Sequence, residues 1–141
     1  WGNSTQLGTG LGLAMGAKLA EPEKLVVNVM GDAAFGMTGL DFETAVRSDL
    51  PIITIVLNNS TMAVETSAMK LSHKLHQTRN LGGNYADIAR SLGGWSERVT
   101  EPAEISDAIT RARRANEDGS AALLEFITSE ETEYSNRRPF G

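Results

Sequence analysis

The sequence contains no cysteine, and this absence excludes both disulfide bonds and zinc sites built from thiolates. Aromatic residues make up only 6%, but hydrophobic residues reach 40%, which is typical of a globular chain and not of a disordered one. A net charge of −5 argues against a nucleic-acid partner. The sequence has neither an apolar run long enough to span a bilayer nor a visible signal peptide, so we expect no membrane partner and a cytoplasmic location.

The length of 141 residues suits one domain, which we predict to cover residues 1–141. A domain of this size buries roughly 70% of the surface that its unfolded chain exposes. The chain opens at Trp1 without an initiator methionine and leads directly into a glycine-rich stretch. We therefore expect it to be one domain of a longer protein.

Short apolar runs alternate with helix-like segments along the chain. The apolar runs are rich in Val, Ile and Leu, which favours parallel strands covered on both faces. This alternation predicts an α/β fold, a doubly wound parallel sheet with helices on both faces. The predicted strands are residues 25–30, 52–57 and 122–127, with a weaker one at 96–99. The predicted helices are residues 10–19, 40–47, 85–92 and 102–115, with Asn84 as a cap for the third.

Two polar groups follow predicted strands directly. Asp32 comes after the strand at 25–30, and Asn58-Asn59 comes after the strand at 52–57. Ligands of open parallel sheets bind outside the carboxyl ends of the strands, so neighbouring strands would bring Asp32 and Asn59 to one crevice. Each group taken singly is also common turn chemistry. Together they indicate a ligand site without identifying the ligand.

The chemistry of these groups suits a magnesium ion that holds a diphosphate. Mg²⁺ prefers six oxygen ligands and is usually held by one or two protein groups together with phosphate oxygens. Asp32 would supply a carboxylate oxygen, Asn59 an amide oxygen and Thr61 a backbone carbonyl. A single carboxylate suffices, because the diphosphate brings its own negative charge.

The residues around Asp32 suit contact with phosphate. Gly31 allows a sharp turn at the end of the strand. Ala33 and Ala34 are small, so their backbone N–H groups can approach a phosphate closely. A helix that begins here would add a favourable dipole.

The two-part pattern resembles the signature of thiamine-diphosphate-dependent enzymes, Gly-Asp-Gly followed after twenty-odd residues by Asn-Asn. The stretch VVNVMGDAAFGMTGLDFETAVRSDLPIITIVLNN looks like the cofactor-binding domain of the acetolactate synthase and 2-oxo-acid decarboxylase group. The opening TQLGTGLGLAMGAKLAEPEK resembles the segment that precedes this signature in the same group. The resemblance covers the chain from about Ser4 to the final strand.

The resemblance implies thiamine diphosphate and Mg²⁺ as cofactors, with Asp32, Asn59 and the Thr61 carbonyl as metal ligands. It implies that Leu7 lies beneath the thiamine, where acetolactate synthases place a Met, and that Met37 lies near the aminopyrimidine ring. Plain core packing is the alternative for Leu7 and Met37, since both residue types are common in cores.

Two departures from the family pattern bear on substrate. The third signature position is Ala33, a form that acetolactate-synthase-like members often have. The Asn pair is followed by STMAVETSAM, without the Gly-Met pair and Gln-Trp segment usual in acetolactate synthases. The 2-oxo-acid substrate, the choice between decarboxylation and carboligation, and the presence of FAD in the full-length enzyme all stay open.

The resemblance also implies a missing part. In the family, the glutamate that activates thiamine lies on a separate pyrimidine-binding domain of the same or a neighbouring chain, in a homodimer or homotetramer. Glu43 lies on a different segment and is predicted to be a surface residue. We expect the isolated chain to be inactive and to expose apolar surface where its partner domain would bind.

Other functions fit the sequence less well. The glycines of Gly8-Thr9-Gly10-Leu11-Gly12 alternate and follow no strand, which argues against a dinucleotide-binding oxidoreductase, and there is no P-loop lysine motif. A non-catalytic regulatory or assembly domain with the same fold is the remaining alternative. His73 and His76 would share one helix face, but a metal pair there has no third ligand, and a solvated pair is favoured.

Overall fold

The computed structural model describes residues 6–63 and 68–131. Within these two ranges the chain forms six α-helices and four strands, with one or two α-helices before each strand. The helices are α1 (Thr9–Ala20), α2 (Asp32–Thr38), α3 (Phe42–Arg47), α4 (Lys70–His76), α5 (Tyr85–Ser91) and α6 (Ile105–Glu117). The strands are β1 (Val27–Gly31), β2 (Ile53–Asn58), β3 (Trp95–Val99) and β4 (Ala122–Ile127).

The four strands of the described ranges form one parallel sheet in the order β1-β2-β4-β3. The register pairs Gly31 of β1 with Leu57 of β2, so the two strands end side by side. The predicted α/β class is confirmed, and so is the adjacency that would bring the two polar groups to one crevice.

One face of the sheet carries most of the helices. Leu11 of α1, Phe35 of α2, Phe42 of α3 and Ala86 of α5 join Leu123 of β4 in one buried apolar cluster. The cluster is built around large side chains that are almost completely buried, and it fixes α2 and α5 near each other. These two helices carry polar groups of the candidate site.

The opposite face is covered unevenly. Ala108 and Ala112 of α6 pack with Leu124 of β4 in a second cluster. In β1, by contrast, Val27 and Val29 are 47% and 59% exposed on this side. The prediction that each strand is covered on both faces is therefore wrong for β1, because α6 lies mainly over β3 and β4. Apolar side chains of β1 are thus exposed on this side of the sheet.

Local capping and turns refine the predicted helix ends. Asp87 donates its backbone N–H to the Asn84 side chain at 3.0 Å, which confirms the predicted cap of α5. The predicted helices at 40–47 and 102–115 both begin with 3₁₀ turns, Gly39–Asp41 and Pro102–Glu104. Across the described ranges, every helix is too short or too polar to cross a bilayer.

Candidate metal centre

Asp32 occupies the junction between β1 and α2. It is the first residue of α2 and is only 3% exposed, although it is an acid. One carboxylate oxygen accepts the backbone N–H of Ala33 at 2.8 Å, and the other accepts the backbone N–H of Ser60 at 2.7 Å. A carboxylate has about four lone-pair positions, so Asp32 retains acceptor capacity for a cation.

The turn after β2 is held by side chains of its own. Asn58 accepts the Ser60 N–H at 3.0 Å and the Ser60 hydroxyl at 3.1 Å through its Oδ1. Ser60 itself has a left-handed backbone with φ of 58°, which a residue with a Cβ adopts only where its surroundings compensate. Here the compensation comes from hydrogen bonds to both Asp32 and Asn58.

Asn59 and Thr61 are oriented by the same turn. Thr61 donates its backbone N–H to Asn59 Oδ1 at 3.0 Å. Backbone hydrogen bonds of 2.9 Å on either side of Thr61 join the turn to residues 79–81, in an antiparallel bridge between Thr61 and Asn80. In such a bridge the N–H and C=O of the central residue point away from the partner segment. The Thr61 carbonyl is thus directed away from residues 79–81, on the same side as its N–H.

This donor set fits a magnesium ion. It offers a carboxylate from Asp32, an amide oxygen from Asn59 and a backbone carbonyl from Thr61, all of them hard oxygen ligands. The Ser60 amide links the Asp32 carboxylate directly to the turn that carries the other two. In the part of the chain that the structure describes, no group of three or more His, Cys, Asp or Glu side chains is placed to hold a metal ion.

The backbone beside Asp32 passes from strand to helix without large side chains. Gly31 is extended and exposed, and the chain turns directly into α2 behind it. Ala34 is 8% exposed, and its methyl group packs in the apolar cluster that contains Leu11 and Phe35. The small side chains thus lie beside or beneath the backbone at the start of α2.

Leu7 and Met37 are both exposed, at 41% and 58%. The core-packing alternative therefore does not describe either side chain within this chain. Thr38 donates its hydroxyl to the carbonyl of Gly8 at 3.0 Å, which ties the loop carrying Leu7 to the end of α2. The structure brings Leu7 and Met37 to neighbouring segments on the same side of the sheet as Asp32.

Tyr85 is a residue of this region that sequence reasoning missed. It is the first residue of α5 and is buried, and its ring meets Phe35 of α2 edge-on at a centroid distance of 5.5 Å. Burial raises the pKa of the Tyr85 hydroxyl, and the negative charges of Asp32 and Glu125 raise it further. The neutral form of Tyr85 is therefore favoured beside these two buried acids.

Glu125 is the second missed residue. It lies in the middle of β4 and is fully buried. Its oxygens accept Asn58 Nδ2 at 2.7 Å and the backbone N–H of Ala86 at 2.9 Å. A signal was present in the sequence, since a glutamate inside the apolar run ALLEFI is an acid that burial would penalise unless it were paired.

Other residues singled out in the sequence lie apart from this network. Glu43 is on α3 and forms an ion pair with Arg47 at 3.0 Å, as expected of a surface residue. His73 and His76 lie on α4 one turn apart. Residues 64–67, in the middle of the atypical segment after the Asn pair, fall outside the described residues.

A family model for thiamine pyrophosphate enzymes, describing their C-terminal TPP-binding domain, matches residues 1–126. The chain belongs to this family. The matched range contains Asp32, the turn at 58–61 and Glu125, so the network described above lies inside the family's cofactor-binding domain.

The chain is similar to several curated proteins. It is 34% identical over 133 residues to the acetolactate synthase large subunit IlvG of Mycobacterium tuberculosis, covering 93% of this chain and 24% of that protein. It is 35% identical over 124 residues to a mitochondrial acetolactate synthase catalytic subunit of Aspergillus candidus, covering 86% and 17%. It is 31% identical over 122 residues to a 2-hydroxyacyl-CoA lyase of Oryza sativa, covering 82% and 21%. The chain thus spans a quarter or less of these relatives.

Among solved structures, the chain is similar to a thiamine diphosphate-dependent 4-hydroxybenzoylformate decarboxylase of Rhodococcus jostii. The TM-score is 0.70 at 23% identity, over 90% of this chain and 24% of the other. At this identity the similarity establishes the fold alone, which agrees with the parallel sheet described above.

Proposed function

We propose that this domain binds the diphosphate of thiamine diphosphate through Mg²⁺, as part of an acetolactate-synthase-like enzyme that decarboxylates a 2-oxo acid, transfers the resulting aldehyde unit, or does both. The observation that carries the proposal is the hydrogen bond between the Ser60 amide and Asp32, because it unites the two halves of the donor set. Membership of the family supports the choice of cofactor.

Three residues would hold the metal in this proposal. Asp32 and Asn59 would bind through side-chain oxygens and Thr61 through its carbonyl. The N–H groups of Ala33 and Ala34 would face the diphosphate, for which Ala33 would share or redirect the N–H that it donates to Asp32. Leu7 and Met37 would contact the thiamine. The cofactor, when bound, supplies the chemistry of 2-oxo-acid decarboxylation and aldehyde transfer, and the protein binds and orients it.

The activating glutamate would come from a pyrimidine-binding domain of the same or a neighbouring chain, within a homodimer or homotetramer. We therefore expect the isolated chain to show no decarboxylase activity. A regulatory domain that only retained the fold would have no physical reason to keep a buried carboxylate, an amide oxygen and a carbonyl on adjoining segments. The donor set therefore favours an enzyme.

The direct test is calorimetric titration of thiamine diphosphate into the full-length protein, with and without Mg²⁺. Asp32→Ala should abolish Mg²⁺-dependent binding, because it removes the charged ligand. Asp41→Ala is the matched control, since Asp41 is an exposed acid just beyond α2 whose side chain caps no helix. It should bind the cofactor as the wild type does.

The outcomes separate the two candidate functions. Mg²⁺-dependent binding that is lost in Asp32→Ala and kept in Asp41→Ala supports the cofactor site. A wild-type protein that binds no thiamine diphosphate at any Mg²⁺ concentration would contradict the proposal and leave the regulatory alternative.

A further inference from the structure

Glu125 joins three elements that lie far apart in sequence. From β4 it receives one hydrogen bond from Asn58, at the end of β2, and one from the backbone of Ala86, in the first turn of α5. Its contact with the nearest cation, Arg98, is longer, at 3.9 Å, and Arg98 is 40% exposed. The two N–H donors are therefore the principal partners of Glu125. Each of them needs a carboxylate oxygen of Glu125 to accept its hydrogen bond.

Asn58 is oriented by this contact. Its amide nitrogen donates to Glu125, so its oxygen must point the other way, toward Ser60. That oxygen receives both the N–H and the hydroxyl of Ser60. If the amide were flipped, its oxygen would face the Glu125 carboxylate and its NH₂ group would face the Ser60 N–H, so both of these hydrogen bonds would be lost. Glu125 thus sets the polarity of the whole chain of hydrogen bonds.

This series of hydrogen bonds, from Glu125 through Asn58 to Ser60, ends at the predicted metal ligands. Ser60 bonds Asp32, and it lies between Asn59 and Thr61 in the turn. A shift of the Ser60 backbone would move both neighbouring oxygens relative to the Asp32 carboxylate. Side chains that orient metal ligands without touching the metal affect affinity because Mg²⁺ tolerates little departure from octahedral geometry.

We propose that Glu125 is a positioning residue for the metal centre: it fixes Asn58, which holds Ser60, so that Asn59 and Thr61 face the ion bound by Asp32. This inference rests on the proposed function for its effect on metal binding. Its structural part, the restraint of the turn at 58–61, stands independently of any ligand.

The geometry supplies a rescue test. Glu125→Gln places an amide NH₂ group against one of the two donors, so one hydrogen bond must break. Adding Asn58→Asp reverses the polarity. The amide introduced at position 125 would then donate to one oxygen of the carboxylate introduced at position 58 and accept from Ala86, while the other carboxylate oxygen accepts from Ser60. The double variant therefore restores each bond of the chain and keeps the total charge.

The experiment uses the full-length protein with two readouts. The first is the dissociation constant of Mg²⁺ at saturating thiamine diphosphate, from calorimetry. The second is amide hydrogen exchange of the peptide covering residues 58–63 without ligands, from mass spectrometry. Glu125→Gln should weaken Mg²⁺ binding by about 10–100-fold and speed exchange of the Ser60 amide. The double variant should return both values to within about threefold of wild type.

Leu123→Ala is the matched control for a purely structural role. Leu123 is fully buried two residues from Glu125 on the same face of β4, but it lies outside the hydrogen-bonded chain. This variant should lower the melting temperature without changing the Mg²⁺ dissociation constant of the folded protein. An equal loss of Mg²⁺ affinity in Leu123→Ala and Glu125→Gln would overturn the proposal.

The remaining outcomes are also decisive. Wild-type affinity and exchange in Glu125→Gln would overturn the proposal, as would a double variant that folds but binds Mg²⁺ no better than the single one. If Glu125→Gln does not fold, recovery of folding and Mg²⁺ binding in the double variant supports it, and failure of both variants to fold overturns it. If the wild type binds no thiamine diphosphate, the proposed function fails, and the exchange rates alone decide the restraint by Glu125.

Discussion

The backbone N–H of Ser60 donates to the Asp32 carboxylate at 2.7 Å, across a separation of 28 residues. This bond is made entirely by the protein, so the two halves of the donor set are fixed to each other by the fold. Preorganisation of this kind reduces the entropic cost of ordering the ligands when the metal binds.

Ser60 allows the conformational part of this arrangement to be measured. Ser60→Ala removes the hydroxyl bond to Asn58 and keeps a Cβ at a φ of 58°. Ser60→Gly removes the same bond but relieves the left-handed backbone. We expect the glycine variant to have a free energy of unfolding about 1 kcal/mol higher than the alanine variant. Urea denaturation provides the comparison, and equal midpoints would contradict it.

Leu7 and Leu11 separate cofactor contact from core packing. Leu11 is fully buried, so Leu11→Ala should lower the free energy of unfolding by about 2–5 kcal/mol. Leu7 is 41% exposed, and Leu7→Ala should change the free energy of unfolding by less than about 1 kcal/mol. Calorimetry with thiamine diphosphate should nevertheless show weaker binding to Leu7→Ala. A large loss of stability in Leu7→Ala with unchanged cofactor binding would show that Leu7 serves core packing and not cofactor contact.

Gly8 controls how the Leu7 loop meets α2. It has a φ of 92°, and a Cβ placed there would lie 2.5 Å from Thr38 Cγ2 and 2.7 Å from its hydroxyl. Gly8→Ala should therefore destabilise the protein by about 1–3 kcal/mol and displace the loop. Combining it with Thr38→Ala should cost less than the sum of the two single variants, because the clash is removed. Strict additivity in a double-mutant cycle would show that the backbone angle alone is responsible.

Tyr85 should make the free energy of unfolding depend on pH in the alkaline range. Its folded-state pKa is raised by burial and by the neighbouring acids, so near its unfolded pKa the folded state holds a proton that the unfolded state loses. The resulting stability is fully present below the unfolded pKa of about 10 and is lost as the pH rises through the folded value. Tyr85→Phe should remove this slope.

The same variant should cost little at neutral pH. The Tyr85 hydroxyl donates to the Gly82 carbonyl at 3.4 Å, a long hydrogen bond. Its removal should lower the free energy of unfolding by about 0.5 kcal/mol. Denaturation at several pH values between about 8 and 11 makes the comparison, and parallel curves for the two proteins would refute the proposed pH dependence.

The sequence carried enough information to predict the sheet and the position of the acid. Strands that are continuous apolar runs can be recognised locally, and their parallel arrangement follows from the helices between them. Asp32 and the Asn pair could then be assigned to the ends of neighbouring strands, and the register of β1 and β2 confirms that the two strands are adjacent. The metal ligation itself stays a prediction.

The different tasks of Asn58 and Asn59 could not be separated from residue type alone. Asn58 is the last residue of β2, and its side chain faces inward on the same side as Val56, toward Glu125. Asn59 lies beyond the strand and bonds within the turn. The partner of Asn58 is 67 residues away, so no local pattern connects the two.

The exposure of one face of β1 also could not be predicted from the local sequence pattern. The run LVVNVM is equally compatible with one buried face or two. Which is realised depends on where α6 lies, and α6 begins more than seventy residues later along the chain. The helix packs mainly over β3 and β4 and leaves two of its own side chains, Ile105 and Ile109, partly exposed.

β1 also stands at one end of the described sheet, and within the described residues it pairs only with β2. Such an edge presents a row of backbone donors and acceptors, here next to the exposed Val27 and Val29. Edges of this kind act as templates for the strands of other molecules and promote aggregation. Expressed by itself, this domain should therefore self-associate as its concentration rises, and a charged substitution such as Val29→Lys should keep it in solution.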